Sequence, residues 1–310
     1  MRKIPLPQHL ARRSFTTGAC DAAGLPRGRT RAKDVIRVSR GILIPTGLPL
    51  RGDAALAAYT EANPLSVLSH LSAAQLWGIP LPPGPDNDWQ IHLANPAWSG
   101  APRRVNVVGH RLALSDGEIC RLGLVRLTSP ARTWLDLAAC LSLTDLVAAG
   151  DFLVCSHGPD FPAPREPICT VEDLLTVTAR HPGLRGVRNA RAALELIRVG
   201  ADSPPETYLR LALVDAGLPE PELNIVVRDE WGRPQLWPDG AYRRHLLSLQ
   251  YDGAHHNAPD QYLRDIRRLE VTRSLGWEEL RISRDDVRGA SPAVVRKVAS
   301  ALRSRGWQPR

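Results

Sequence analysis

The sequence predicts a multidomain α/β protein, and three observations carry that expectation. The chain has 310 residues, a length that suggests two or three domains. Its composition, 43% hydrophobic and 23% charged, is that of an ordinary globular protein able to bury a real core. Strand-like alternation and helix-like periodicity interleave along the chain, and Pro- and Gly-rich breaks separate three regions, 1–50, 51–200 and 201–310.

In the first region, Thr16 to Ala23 reads as a helix with a Thr N-cap, and Gly24-Leu25-Pro26 as a turn. A short basic segment follows and is expected to be a second helix. Residues 35–45 read as two strands around Ser39 to Gly41. Helix, tight turn, basic helix and β-ribbon is the order of a winged helix-turn-helix. Arg27, Arg29, Arg31 and Lys33 cluster in the basic segment, with Arg37 and Arg40 on the ribbon, so this region is expected to bind DNA, mainly through phosphates. The plainer reading is a packing unit with a basic surface.

The formal charge of +8 favours an anionic partner such as nucleic acid. Almost all of the basic residues are arginine, Lys3, Lys33 and Lys297 being the only lysines, a skew that genome base composition also produces. The five cysteines have no C-x-x-C spacing, so neither a zinc site nor a disulfide framework is indicated, and reduced thiols in the cytoplasm are the simplest account. Met1-Arg2-Lys3 is not followed by an apolar stretch, and the longest apolar segment, 134–149, is too short to span a bilayer and contains Asp136 and Asp145. No membrane association is expected.

The middle region reads as α/β with a helical linker. A helix ends at Trp77-Gly78, strands surround Ile91 and residues 104–108, helices open at Ser129-Pro130 and Thr144, and two more are broken at Pro182-Gly183. His70, His92 and His110 are scattered here, and such histidines are usually structural.

The last region has the order αβββαβα. Ser203-Pro204-Pro205-Glu206 is a capping box opening the first helix. Asp239 lies at one strand end, and Gln250 and Asp252 lie on one face of the next strand by alternation. His255 and His256 follow at once. Oxygen donors in such a set suit Mg²⁺, which polarises a phosphodiester and activates water, with a His to move the proton. Each residue also has a plainer reading: Asp239-Gly240 and Asp252-Gly253 are turn signals, Glu206 is a capping residue, and the two histidines fit a solvated loop.

Residues 203–286 resemble the very-short-patch-repair-like endonuclease domain family of unknown function. The resemblance rests on Ser203-Pro204-x-Glu206, Pro238-Asp239, Gln250-Tyr251-Asp252-Gly253-x-His255-His256, Arg264-Asp265-x-Arg267-Arg268 and Leu275-Gly276-Trp277 before Leu280-Arg281-Ile282. It implies a restriction-endonuclease-like, PD-(D/E)XK fold and Mg²⁺-dependent cleavage of DNA by Glu206, Asp239, Gln250, Asp252, His255 and His256, with metal on Asp239, Gln250 and Asp252. The family usually carries Glu where this chain has Gln250, a departure that bears on catalysis rather than on the fold.

Less specifically, residues 16–45, Leu68-Ser69-His70-Leu71-Ser72-Ala73-Ala74-x-Leu76-Trp77-Gly78 and Thr128-Ser129-Pro130-Ala131-Arg132-Thr133 resemble the AbiEi-type antitoxin and regulator architecture. That resemblance implies a DNA-binding winged helix and, as a further partner, a cognate toxin or other protein. The expectations are therefore a DNA-binding protein with a Mg²⁺-dependent endonuclease domain acting in defence or repair, or a regulator or antitoxin whose nuclease fold is inactive. A third reading gives the last domain protein contacts alone.

Overall fold

The structure is a computed structural model that describes residues 4–83, 90–252, 259–287 and 293–309. The fold is mixed α/β, as expected. By its internal contacts the chain divides into two compact units, Met1–Cys140 with Thr176–Val187, and Leu141–Leu175 with Arg188–Arg310. This division does not coincide with the sequence boundaries at 50 and 200. Ile42 of the N-terminal region shares one core with Leu56, Leu68 and Leu127 of the middle region, so residues 1–50 and the first part of the middle region, through Cys140, form one body.

The first unit begins with α1 (Gln8–Ala11), β1 (Phe15–Thr16) and α2 (Thr17–Ala22). Thr16 caps α2, its Oγ1 accepting from the Ala19 N–H at 3.0 Å. β2 (Val35–Ser39) and β3 (Ile42–Pro45) follow, and with β1 they form an antiparallel sheet of order β1-β3-β2. The expected basic helix is instead a 3-10 turn, Arg27–Arg31. Pro26 and Gly28 are poor helix formers, and the Arg29 side chain turns inward to make a bidentate pair with Asp34 at 2.8 and 2.7 Å.

Next come α3 (Asp53–Glu61), β4 (Val67–Leu68), α4 (His70–Trp77), β5 (Ile91–Pro96), β6 (Val107–Leu112), β7 (Ile119–Leu122), β8 (Val125–Thr128) and α5 (Pro130–Leu137). The strands form a mixed sheet of order β6-β5-β4-β8-β7, and the β5–β6 pair is parallel, with His92 opposite Val108 and Ala94 opposite His110. That register sends His92 and His110 to the same face. α4 ends at Gly78, whose φ of +72° is the left-handed stop that glycine takes without a Cβ penalty. Arg132 of α5 is fully buried and bonds Glu118 at 2.6 Å and Asp136 at 2.9 Å.

The second unit contains α6 (Leu143–Val154), the start of α7 (Val171–Arg180), most of α8 (Val187–Leu196) and α9 (Pro204–Asp215). The hairpin β9 (Val227–Arg228) and β10 (Pro234–Leu236) follows, then β11 (Gly240–Tyr242), β12 (Leu247–Asp252), α10 (Pro259–Ser274), β13 (Glu278–Ser283), α11 (Arg284–Val287) and α12 (Ala293–Ser304). β11 and β12 are antiparallel, whereas β12 and β13 are parallel and joined through α10. Residues 222–228 contribute only β9 and a single bridge between Glu222 and Ala241.

Leu247, Leu249 and Ile282 pack against Leu209 and Leu213 of α9 and against Val294, Val298 and Leu302 of α12. α9 is tied to α6 by a buried polar knot. Asp151 Oδ2 accepts from Arg210 Nη2 at 2.9 Å and from Thr207 Oγ1 at 2.8 Å, and Arg210 Nη1 also donates to Glu220 at 2.9 Å. Removing Asp151 would leave the buried Arg210 with only the partly exposed Glu220 as counter-charge and would unpair Thr207. Asp151→Ala is therefore expected to cost about 3–5 kcal/mol, read as a lowered urea midpoint by circular dichroism. An unchanged midpoint would show that the knot does not hold α9.

Candidate functional site

Three groups of polar side chains stand out, and the first is the one the sequence pointed to. Gly240 pairs with Leu249, so Asp239 comes opposite Gln250 at the β11–β12 end. Gln250 Nε2 donates to Asp239 Oδ1 at 3.0 Å, and the Tyr251 N–H donates to Asp239 Oδ2 at 2.7 Å. Arg268, from α10, donates to Gln250 Oε1 and pairs through Nε with Glu279 Oε2 at 2.7 Å. Arg281 then links Glu279 Oε1 at 3.0 Å to Asp252 Oδ2 at 3.7 Å. An unbroken chain of contacts thus runs from Asp239 through Gln250, Arg268, Glu279 and Arg281 to Asp252.

Glu279 was not anticipated. Its side chain is only 1% exposed. The parallel register puts Ser248 opposite Glu279 and Gln250 opposite Arg281, so alternation along β13 was the signal that could have found both residues.

Glu206 joins from α9. It accepts from Ser203 Oγ at 2.7 Å and from the Asp202 N–H at 2.8 Å, so the capping role read from the sequence is real in part. Burial, and then the Asp239 carboxylate nearby, raise Glu206 to about 7. Burial raises Asp239 to about 6, against the Tyr251 N–H, Arg268 and Gln250, which lower it. The Asp239 charge thus bears on Glu206, and both carboxyls are partly buried. Asp252 stands apart, its side chain 49% exposed and turned to Arg281. His255 and His256 lie outside the described residues.

The arrangement does not fit the Mg²⁺ that the resemblance implies. Both Asp239 oxygens already accept hydrogen bonds. Gln250 cannot turn its oxygen toward a shared ion without turning its NH₂ toward the Arg268 guanidinium, which has no acceptor to offer it. Among the described residues, sets of three or more His, Cys, Asp or Glu with donor atoms within 4.8 Å of one another occur at His70, His92 and His110 and at Cys155, His157 and Asp202, not around Asp239.

The Cys155 group is internally satisfied. His157 Nδ1 contacts Asn224 Oδ1 at 2.8 Å, His157 Nε2 contacts Asp202 Oδ2 at 2.8 Å, and Arg165 pairs with Asp202 at 3.2 Å. Burial raises the Cys155 thiol to about 12, so it is protonated and a poor nucleophile.

The histidines that read as scattered come together. His92 Nδ1 lies 3.0 Å from His110 Nε2, and the His70 ring stacks on His110 with centroids 3.8 Å apart. Burial, with the neighbouring rings, lowers His70 to about 3 and His92 to about 4, and burial lowers His110. Each shift favours the neutral imidazole. Their convergence depends on strand register, which residue spacing alone does not reveal.

Of the residues expected to touch DNA, Arg27, Arg31, Lys33, Arg37 and Arg40 are exposed on the first unit. Arg29 is a correction. It is 5% exposed and its guanidinium is committed to Asp34, so it serves the fold of the turn rather than a phosphate.

The chain is similar to uncharacterized proteins from two strains of Mycobacterium tuberculosis, at 27% identity over 280 residues, covering 86% of this chain and 92% of each relative. No family model and no solved structure matches it.

The raised carboxylates have a consequence for stability. A carboxyl whose pKa is higher in the folded protein contributes stability that is present below the unfolded value and lost as pH rises through the folded one. For Glu206 that window runs from 4.5 to about 7, and for Asp239 from 3.8 to about 6. Glu206→Gln is expected to be more stable than the natural protein at pH 8, by up to roughly 3 kcal/mol at about 1.4 kcal/mol per pKa unit. The difference should vanish near pH 4. Thermal melts across pH check this, and equal melting temperatures at pH 8 would contradict the buried acidic pair.

Proposed function

We propose that the protein is a DNA-binding regulator whose second unit keeps a nuclease-like arrangement but uses it to bind rather than to cut. The observation that carries this reading is the lock on Gln250, held between Asp239 through its NH₂ and Arg268 through its oxygen. In a metal-dependent nuclease that position offers a charged oxygen to the ion. Here a guanidinium stands where the cation would act, and the amide is oriented to suit it.

The order α9, hairpin, β11, β12, α10, β13, with an antiparallel pair followed by a parallel crossover, supports a restriction-endonuclease-like reading of this unit. The sheet β1-β3-β2 beside α2 supports a winged-helix reading of the N-terminal part, though with a 3-10 turn in place of a recognition helix. DNA contact would then come from the exposed cations around that turn and ribbon rather than from a helix seated in the major groove. The formal charge of +8 agrees in sign.

The influence of the Asp239 charge on Glu206 favours a second reading, Mg²⁺-dependent cleavage, because a divalent ion would relieve two partly buried carboxylates. Plasmid nicking separates the two. The first reading predicts that the full-length protein binds duplex DNA with a marked salt dependence and leaves supercoiled plasmid intact in Mg²⁺. Each phosphate contact removed should lower the salt slope by roughly 1, so Arg31→Ala with Arg37→Ala should lower it by about 2. Mg²⁺-dependent nicking that Asp239→Ala abolishes would establish the second reading. An unchanged salt slope would remove the turn and ribbon from the DNA contact.

A further inference from the structure

We propose that His70, His92 and His110 form a binding site for a divalent transition metal of the Zn²⁺ class in the first unit, with Asp136 lining the same pocket. The site is separate from the Gln250 centre and does not depend on how that centre is read.

The imidazoles come from three elements. His70 opens α4, and His92 and His110 lie on one face of the parallel pair β5–β6. Their donor atoms all lie within 4.8 Å of one another. A tetrahedral ion with Zn–N near 2.0–2.1 Å needs donors about 3.4 Å apart, so movements of roughly an ångström close the set. His92 Nδ1 and His110 Nε2 already face each other at 3.0 Å. His70 Nδ1 is held by the buried Ser69 hydroxyl at 3.0 Å, which leaves its Nε2 as the free ring nitrogen. Metal-binding histidines are usually oriented in this way, by a partner on the other nitrogen. His70 also holds a φ of +47°, a conformation costly for a residue with a Cβ.

Asp136 supplies the second, independent observation. It lines the same pocket as the three histidines, together with Cys140. Asp136 is 3% exposed, and its Oδ2 is buried with no hydrogen-bond partner among the described residues. Its other oxygen accepts from Arg132, whose remaining carboxylate partner is Glu118. Glu118 is further bonded by Ser115 Oγ and His181 Nε2, each at 2.8 Å, so the carboxylate oxygen left unpartnered is Asp136 Oδ2. Three imidazole nitrogens, with a fourth position open to water, are a set that suits Zn²⁺ and its neighbours rather than Mg²⁺. Cys140 is not needed: its thiol donates to the Leu137 carbonyl at 3.3 Å, and burial raises its pKa.

The test is calorimetric titration of Zn²⁺ into the chelator-treated full-length protein, with circular dichroism to check that each variant is folded. One equivalent is expected to bind to the natural protein and to Cys155→Ser. His110→Gln and His92→Ala should lose that equivalent, and Asp136→Asn should weaken it by about tenfold or more. Co²⁺ substituted into the natural protein should show tetrahedral d–d absorption without a thiolate charge-transfer band. No saturable Zn²⁺ binding, binding unchanged in folded His110→Gln, loss in Cys155→Ser, or a thiolate band would each overturn the proposal.

Discussion

The candidate centre of the second unit depends on the orientation of one amide. Gln250 has a donor end and an acceptor end, and its two neighbours demand opposite ones. The Asp239 carboxylate can only accept and the Arg268 guanidinium can only donate. Reversing the amide would break both hydrogen bonds at once, leaving a carbonyl against a carboxylate and an NH₂ against a guanidinium. This mutual demand couples β11, β12 and α10. Through Arg268 it extends to Glu279 on β13.

The buried Arg210–Asp151 knot is the second support of that arrangement. It holds α9 against α6 in a medium where an unpaired charge is costly, and α9 carries Glu206 toward Asp239. The first unit repeats the device with Arg132 between Glu118 and Asp136. There Glu118 is also bonded by His181 at 2.8 Å, whereas Asp136 Oδ2 has no hydrogen-bond partner among the described residues, and Asp136 lines the pocket of the three histidines.

Much of this was legible in the sequence. The expected strand that carries Gln250 and Asp252 is present as Leu247–Asp252, because alternation and flanking turns fix such an element locally. The approach of Asp239 to Gln250 was likewise readable, since each sits at a strand end. What the sequence hid depends on long-range register or on side-chain direction. Arg29 sits among exposed cations in the sequence, yet it turns inward because Asp34 offers it a bidentate partner. Glu279 looks like an ordinary charged residue until β12 and β13 pair in parallel. His70, His92 and His110 are far apart along the chain and meet only because β5 and β6 align as they do.

The measurement that bears most directly on the closed centre is Mg²⁺ titration by calorimetry into the natural protein and into a Gln250→Glu, Arg268→Gln double variant. The substitutions put a carboxylate opposite Asp239 and remove the guanidinium that bonds the residue 250 side chain. The account predicts no saturable Mg²⁺ binding by the natural protein and measurable binding by the double variant, lost again when Asp239→Asn is added. Saturable Mg²⁺ binding by the natural protein that Asp239→Asn abolishes would contradict it.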